Sequence, residues 1–323
     1  MPDQYAAWLR AALAANPADP FCCAPLWQMA FHWSFAPRRR LLVETAGESL
    51  VAFAENVVAP GEVFLTPPES SWCFGCPVLG KEGGALFAAA LRFFARSYAP
   101  SFPRIILSGL RPETDVARTL LQPSGLPLRA RPVSAGIQCA ASLEGGLDGF
   151  LSRRSANHRR KLRRAAAAAR QEGVVFERVL PGTDGEAQAV YARMLAVERA
   201  SWKGIGHCGM AEDGVRQFYA LLLETLAAAR AARVIFARRE ERDIGFIFGG
   251  LAGTVYRGQQ FSYAQEWRRL SVGNLMQLEQ IAWLCEEGAS RYDMGPLDGP
   301  RMGYKAHWTE LLFPIRAWIV EKA

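Results

Sequence analysis

Hydrophobic and polar positions along this chain fall into two rhythms. A spacing of three to four residues over 4–16, in "QYAAWLRAALAAN", predicts an amphipathic helix, and 40–43, 48–54 and 63–66 read as strands. In "WCFGCPVLGKEGGALFAAALRFFARSYA" a turn rich in Gly and Pro opens onto a helix whose apolar residues recur at helical spacing. The strand "RIILSGL", a short helix after Pro112 and strand-like sequence over 133–142 complete the first half.

The second half repeats that order. "VVFERVL" predicts a strand, "GEAQAVYARMLAVERASWKG" and "GVRQFYALLLETLAAARAA" two helices, and "RVIFARRE", "DIGFIFGGLAG" and "TVYRGQQFSYA" three strands joined by tight turns. Next come a turn that opens a helix in "EWRRLSVGNLMQLEQIAWLCEEG", the strand "SRYDMGP", the short helical piece "GYKAHW" and a final strand "LLFPIRAWIVE". The shared order predicts a duplicated α+β unit, although the halves share no residue-level identity. The expected division is a first half over 1–146, a basic linker helix over 147–173 and a second half over 174–323.

At 323 residues the chain has room for about two domains of about 150 residues each, and 50% of it is apolar, enough for a large core. The start of the chain lacks a continuous apolar stretch of the signal-peptide kind. The weakly polar run 244–256 is far short of the roughly 20 residues that span a bilayer. A cytoplasmic protein with no membrane span is the expectation. Seven cysteines, an odd number without dense spacing, favour free thiols. Cys73 and Cys76 form a CxxC, but zinc needs two further ligands and the adjacent Cys22 and Cys23 chelate poorly, so no metal is predicted.

Charge is concentrated in one place. Segment 151–172 carries seven Arg and one Lys against one Glu, a net of +7 that equals the formal charge of the whole chain. Its apolar positions Leu162, Ala165, Ala166 and Ala169 follow helical spacing, which leaves Arg159, Arg160, Arg163 and Arg164 outward. Such a helix is either a solvated linker or a contact for an anionic donor or acceptor. Without interleaved aromatic residues it is poorly suited to stacking on nucleic-acid bases.

Chemistry is expected at the turn that opens the helix in "RRLSVGNLMQLE". Ser271 and Gly273 are small, so successive backbone N–H groups of a helix start can point at one spot, an arrangement suited to phosphate. Arg268 and Arg269 precede it. A Ser at this place also serves as an ordinary N-cap.

The words "NHRRKLRRAAAAARQEGVVFE", "VERASWKG", "FSYAQEWRRLSVGNLMQLEQI", "YDMGP" and "YKAHW" stand in the order seen in the CelD/BcsL-type acetyltransferases of the GNAT superfamily, a family similar to the tandem-GNAT Fem aminoacyltransferases. The chain resembles that family over about residues 150 to 310, and before that only in architecture. The resemblance implies an α+β, tandem GNAT-like fold of two mixed sheets flanked by helices. It also implies an N-acyltransferase that uses acyl-CoA, or an acyl carrier protein, to modify an amine on a peptide, amino acid or sugar. Donor contacts would come from Gln260, Phe261, Arg268, Arg269, Ser271, Val272, Gly273, Asn274 and Leu275. Two positions depart from relatives: Ala264 stands where an Asp often follows the strand Tyr, and Val272 where a Pro often precedes the turn Gly. The first departure removes a potential grip on the acceptor; the second loosens the turn without removing an N–H donor.

Acyl transfer to an amine requires a held diphosphate, a neutral amine and a stabilised oxyanion. An amine like that of lysine has a pKa near 10.4, so a group must take its proton. Glu198 and Asp293 are the preferred candidates, with Glu266 beside them. The oxyanion would meet a backbone N–H at the splayed end of strand 260–263, and Tyr263 would protonate the leaving thiolate. Trp202, Lys203 and Lys305 are the acceptor-side candidates. Each has a structural alternative: Glu198 as a helix-surface pair, Asp293 as a turn cap, Lys305 in solvent. Phe246, Ile247 and Phe248 line an acyl tunnel or are plain core. His307 is expected beside Trp308, and His158 and His207 show no ligand spacing. Two other functions stay open: a Fem-like transferase with aminoacyl-tRNA as donor, and a non-catalytic GNAT-like protein that holds a polyanion.

Overall fold

The computed structural model describes residues 2–14, 19–122, 126–299 and 302–323. The chain divides into two compact units, Met1–Gln138 with Phe313–Ala323, and Cys139–Leu312. The expected borders at 146 and 173 differ from this division. The basic helix belongs to the second unit, and the last strand belongs to the first because its antiparallel partners, Ile105 to Leu110, lie there.

In chain order the first unit holds α1 (Pro2–Ala14), α2 (Pro20–Cys23), α3 (Pro25–Phe35), β1 (Leu41–Ala46), β2 (Ser49–Ala59), β3 (Glu62–Thr66), β4 (Val78–Leu79), α4 (Gly83–Ser97), β5 (Arg104–Leu110), α5 (Asp115–Leu121) and most of β6 (Leu128–Ser142). The second unit follows with α6 (Gly146–Ser152), α7 (Ala156–Gln171), β7 (Val174–Val179), α8 (Asp184–Arg199), α9 (Trp202–Ile205), α10 (Arg216–Ala228), β8 (Ala232–Arg239), β9 (Arg242–Ala252), β10 (Val255–Tyr263), α11 (Val272–Glu286) and β11 (Arg291–Pro296), before β12 (Leu311–Lys322) returns to the first. Residues 15 and 16 of the expected first helix lie outside the described residues. No described helix is long and apolar enough to cross a membrane.

Each unit has a mixed strand arrangement. In the first the order is β1-β2-β3-β5-β12, antiparallel except for β3 with β5, and β4 pairs with β2. In the second the order is β11-β10-β9-β8-β7, antiparallel except for β10 with β11. The parallel step in each unit is bridged by a helix, α4 or α11, because parallel neighbours need a crossover connection. The turn-to-helix step seen twice in the sequence is this crossover, and the α+β class agrees with expectation.

Local sequence explains the element ends that matter. Thr183 and Glu186 form a reciprocal capping box that starts α8. Ser155 caps α7, its hydroxyl accepting the His158 N–H at 3.2 Å, and Leu162 and Ala169 on the apolar stripe are buried as the spacing predicts. Helix α3 is absent from the sequence-based expectations. Its residues from Pro25 to His32 are all buried, so it shows no polar face and no amphipathic period. Only the prolines at the starts of α2 and α3 marked them. The cores are aromatic: Phe53, Phe87 and Phe94 in the first unit, and Phe150, Tyr256, Tyr292 and Trp308 in the second.

Candidate active site

Strand β10 is regular on one side and interrupted on the other. Against β9 its register slips between Gly258 and Gln260, a bulge at Gln259, and then resumes with Phe261 opposite Ile247 and Tyr263 opposite Gly245. Against β11 it pairs only through Val255–Arg291, Tyr256–Tyr292 and Arg257–Asp293. Beyond Arg257 the two parallel strands part. Gly258 permits the fork, since a Cβ there would lie 2.9 Å from the Tyr292 ring. A cleft of about 690 Å³ opens at this place, lined by Gly258 to Tyr263 from β10 and by Tyr292 and Met294 from β11. Its size is in the range of small-molecule sites, about 300–1,000 Å³.

The start of α11 forms another wall. A 3-10 turn over Gln265–Leu270 leads to Ser271, whose backbone is left-handed at φ 54°, and the helix begins at the next residue. The Ser271 side chain makes no capping bond; its carbonyl accepts the Asn274 and Leu275 N–H groups at 2.9 and 3.2 Å. Among the described residues this leaves the N–H groups of Val272 and Gly273 uncommitted at the positive end of a 15-residue helix. Ser271, Gly273 and Asn274 line the cleft, and so does Arg268.

Two lysines complete the lining. Lys203 reaches over from α9, its Nζ donating to Gln260 Oε1 at 2.7 Å and to the Phe261 carbonyl at 2.8 Å. Gln260 is itself fixed by donating to the Tyr219 hydroxyl at 2.7 Å. Burial pushes the Lys203 ammonium below its ordinary value, against the pull of the Glu198 carboxylate. Lys305 is buried, and its Nζ donates to the Pro296 carbonyl at 2.6 Å. Burial first, and the nearby Arg257 guanidinium second, bring Lys305 down to about 8. No Asp, Glu or His is found among the described lining residues.

Most of the sequence-predicted residues come together here. Tyr263, Gln260, Phe261, Arg268, Ser271, Gly273, Asn274, Trp202, Lys203 and Lys305 all line the cleft. Five do not. Val272 and Leu275 are buried in the core and, like Arg269, lie off the lining. Glu198 is fully buried, with Oε1 accepting the Met210 N–H at 2.9 Å, so its carboxylate anchors the segment after α9 and does not face the cleft. Asp293 is buried against Arg291, with an Nε to Oδ1 distance of 2.7 Å, and lies off the lining. Glu266 pairs with Arg242 at 2.9 Å, away from the lining. Phe246 and Phe248 are fully buried core, and of that trio only Ile247 reaches the cleft.

Other lining residues escaped sequence reasoning. Gln277 sits four residues after Gly273, on the same face of α11, and Tyr292 and Met294 alternate along β11 toward the cleft. Tyr304 packs edge-on against Phe261 at 5.8 Å, and burial pushes its hydroxyl up to about 12, so it keeps its proton. Trp308, also in the lining, is packed by His158 at 4.9 Å.

Residues 156–306 match the family model of the acetyltransferase (GNAT) domain. The fold is similar to that of FemX, at 11% identity over 97% of this chain and 95% of that one, with a TM-score of 0.68. A conserved protein of unknown function from Bacteroides thetaiotaomicron is similar at 10% identity, 98% and 97% coverage and a TM-score of 0.64. L-PGS from Bacillus licheniformis is similar at 13% identity, 100% and 92% coverage and a TM-score of 0.61. No curated protein matches the sequence. Residues 156–306, the stretch that holds both the helix start and the forked parallel strand pair, carry an acetyltransferase (GNAT) domain.

Proposed function

We propose that this chain is an N-acyltransferase that takes an acyl group from acyl-CoA and passes it to an amine. The observation that carries the proposal is the pair of uncommitted N–H groups at Val272 and Gly273 at the start of α11, beside a cleft that Gly273 and Arg268 line. Hydrogen bonds to a charged partner contribute about 1.5–3 kcal/mol each, so two of them and a guanidinium suffice to hold a diphosphate. The pantetheine arm would run along the free side of β10 past the Gln259 bulge, where a backbone N–H meets the developing oxyanion.

With Glu198 and Asp293 turned to other partners, the proton acceptor in this proposal is Lys305. A lysine near 8 is substantially neutral under mildly alkaline conditions, and it is held in place by a single carbonyl. Tyr263, in the lining, is the proton source for the leaving thiolate. Incubating the protein with acyl-CoAs of several chain lengths and pooled amines, then weighing the products by mass spectrometry, tests the proposal; an unchanged pool with every donor refutes it.

One observation favours a second donor. Arg160, Lys161, Arg163 and Arg164 on α7 are exposed and have no carboxylate partner among the described residues, whereas Arg178, Arg193, Arg233 and Arg238 all do. A donor carried on a polyanion, such as aminoacyl-tRNA, would use that face, and its binding would weaken steeply between low and moderate salt.

A further inference from the structure

We infer that the acceptor is an amine with its own carboxylate close to the amino group, an amino-acid-type zwitterion, and that Lys203 is the cation that meets this carboxylate. The inference rests on the acyltransfer proposed above and names its substrate class.

The charged groups of the described lining are the cations Lys203 and Arg268, joined by Lys305 once it has taken a proton, with no carboxylate to balance them. A purely cationic acceptor, such as a polyamine or the end of a lysine side chain, would enter with its charge unopposed. The low dielectric of a recessed site magnifies that repulsion. An amine with an adjacent carboxylate has no net charge to repel, and its anionic end finds partners ready.

Lys203 is built for that contact. Two of its three N–H donors are spent on neutral oxygens, Gln260 Oε1 at 2.7 Å and the Phe261 carbonyl at 2.8 Å, which fix the ammonium and leave the third donor for a ligand. The Gln260 to Tyr219 bond holds this arrangement from behind. No carboxylate lies within ion-pair distance of Lys203 among the described residues, although several arginines of the same unit, Arg193, Arg233 and Arg291 among them, have one. Gln259, at the bulge and in the same lining, has a buried Nε2 with no hydrogen-bond partner, a second donor on that wall awaiting an acceptor atom. Arg268 lies beside the helix start, where the donor's phosphates would use it, so Lys203 remains the cation on the strand side.

The test uses the full chain and acetyl-CoA, with released thiol as the readout. Acceptors are the twenty common amino acids singly, their methyl esters, spermidine and cadaverine. At least one free amino acid should exceed its own ester by about 10- to 150-fold in kcat/KM, the range of one charge-assisted hydrogen bond, and both polyamines should be poor. Esters or polyamines that match or exceed every free acid overturn the inference, as does the failure of all free acids. Lys203→Met should bring the acid-to-ester ratio close to one while Lys203→Arg keeps most of it; a ratio unmoved in Lys203→Met also overturns it. A parallel melt with CoA separates the two levels. No stabilisation by CoA and no transfer to anything defeats the acyltransferase proposal itself, whereas stabilisation with transfer only to esters or polyamines defeats the substrate class alone.

Discussion

Gly273→Ala separates a binding role for the α11 start from a structural one. A Cβ added at Gly273 would lie 3.0 Å from Tyr263 Cε1 and 3.2 Å from Phe261 Cε2, inside the roughly 3.5–4.0 Å at which carbon atoms pack best. Both rings line the cleft and can swing outward, so the cost falls on the space a ligand would fill and not on the core. Helix propensity acts the other way, since Ala is favoured over Gly by up to about 1 kcal/mol in a helix. The unliganded variant should therefore melt within a few degrees of the parent. Binding of CoA should suffer. If the intruding methyl group costs one charge-assisted hydrogen bond, the loss is about 1.5–3 kcal/mol, or about 10- to 150-fold in Kd. Isothermal titration with CoA, paired with a thermal melt of the free protein, reads both effects. An unchanged Kd in a normally folded variant would refute the placement of the diphosphate at this helix end.

Four further outcomes follow from the same geometry. With Lys305 near 8 when folded, kcat/KM should rise with pH through about 8 and Lys305→Met should lose that rise together with about 10²- to 10⁴-fold in rate; a rise that persists in the variant returns the proton to another group. Because the ordinary value of that lysine is 10.5, the unfolded chain binds the extra proton between about 8 and 10.5, so stability should rise with pH across that window and do so less in Lys305→Met, as read by urea melts. Glu198→Ala removes the acceptor for the Met210 N–H and should cost about 1–3 kcal/mol in urea melts with kcat changed only a few-fold, whereas a collapse of kcat without loss of stability would restore Glu198 as the base. Replacing Arg160, Lys161, Arg163 and Arg164 together by Gln should leave acetyl-CoA kinetics and their salt response unchanged; a large loss would point to a polyanionic donor on α7.

Much of the second unit was legible because its information is local. Gly and Ser after a strand, and apolar residues at helical spacing behind them, located both β10 and the start of α11, and the cleft assembled around them. Lys203 and Lys305 were found in the same way, from short words next to predicted elements. Which carboxylates reach the cleft was not legible, because that depends on which way a carboxylate turns in the folded chain. Glu198 turns to an N–H 12 residues further on, which helix periodicity cannot reveal. Asp293 carries a local sign of its pairing: Arg291 stands two residues earlier, on the same face of a strand, where an ion pair forms. Helix α3 was missed because full burial erases periodicity. That the final strand groups with the first unit was not legible, because pairing with β5, about 200 residues earlier, leaves no trace in the local pattern.

The central claim is that backbone N–H groups at Val272 and Gly273 hold the diphosphate of a thioester carrier. Calorimetric titration of the full chain with CoA and, separately, with pantetheine, which keeps the thiol arm but lacks the diphosphate and nucleotide, tests it most directly. Two charge-assisted hydrogen bonds contribute about 3–6 kcal/mol together, so CoA should bind at least about 100-fold more tightly than pantetheine. Equal affinities for the two, or no binding of CoA at all, would contradict it.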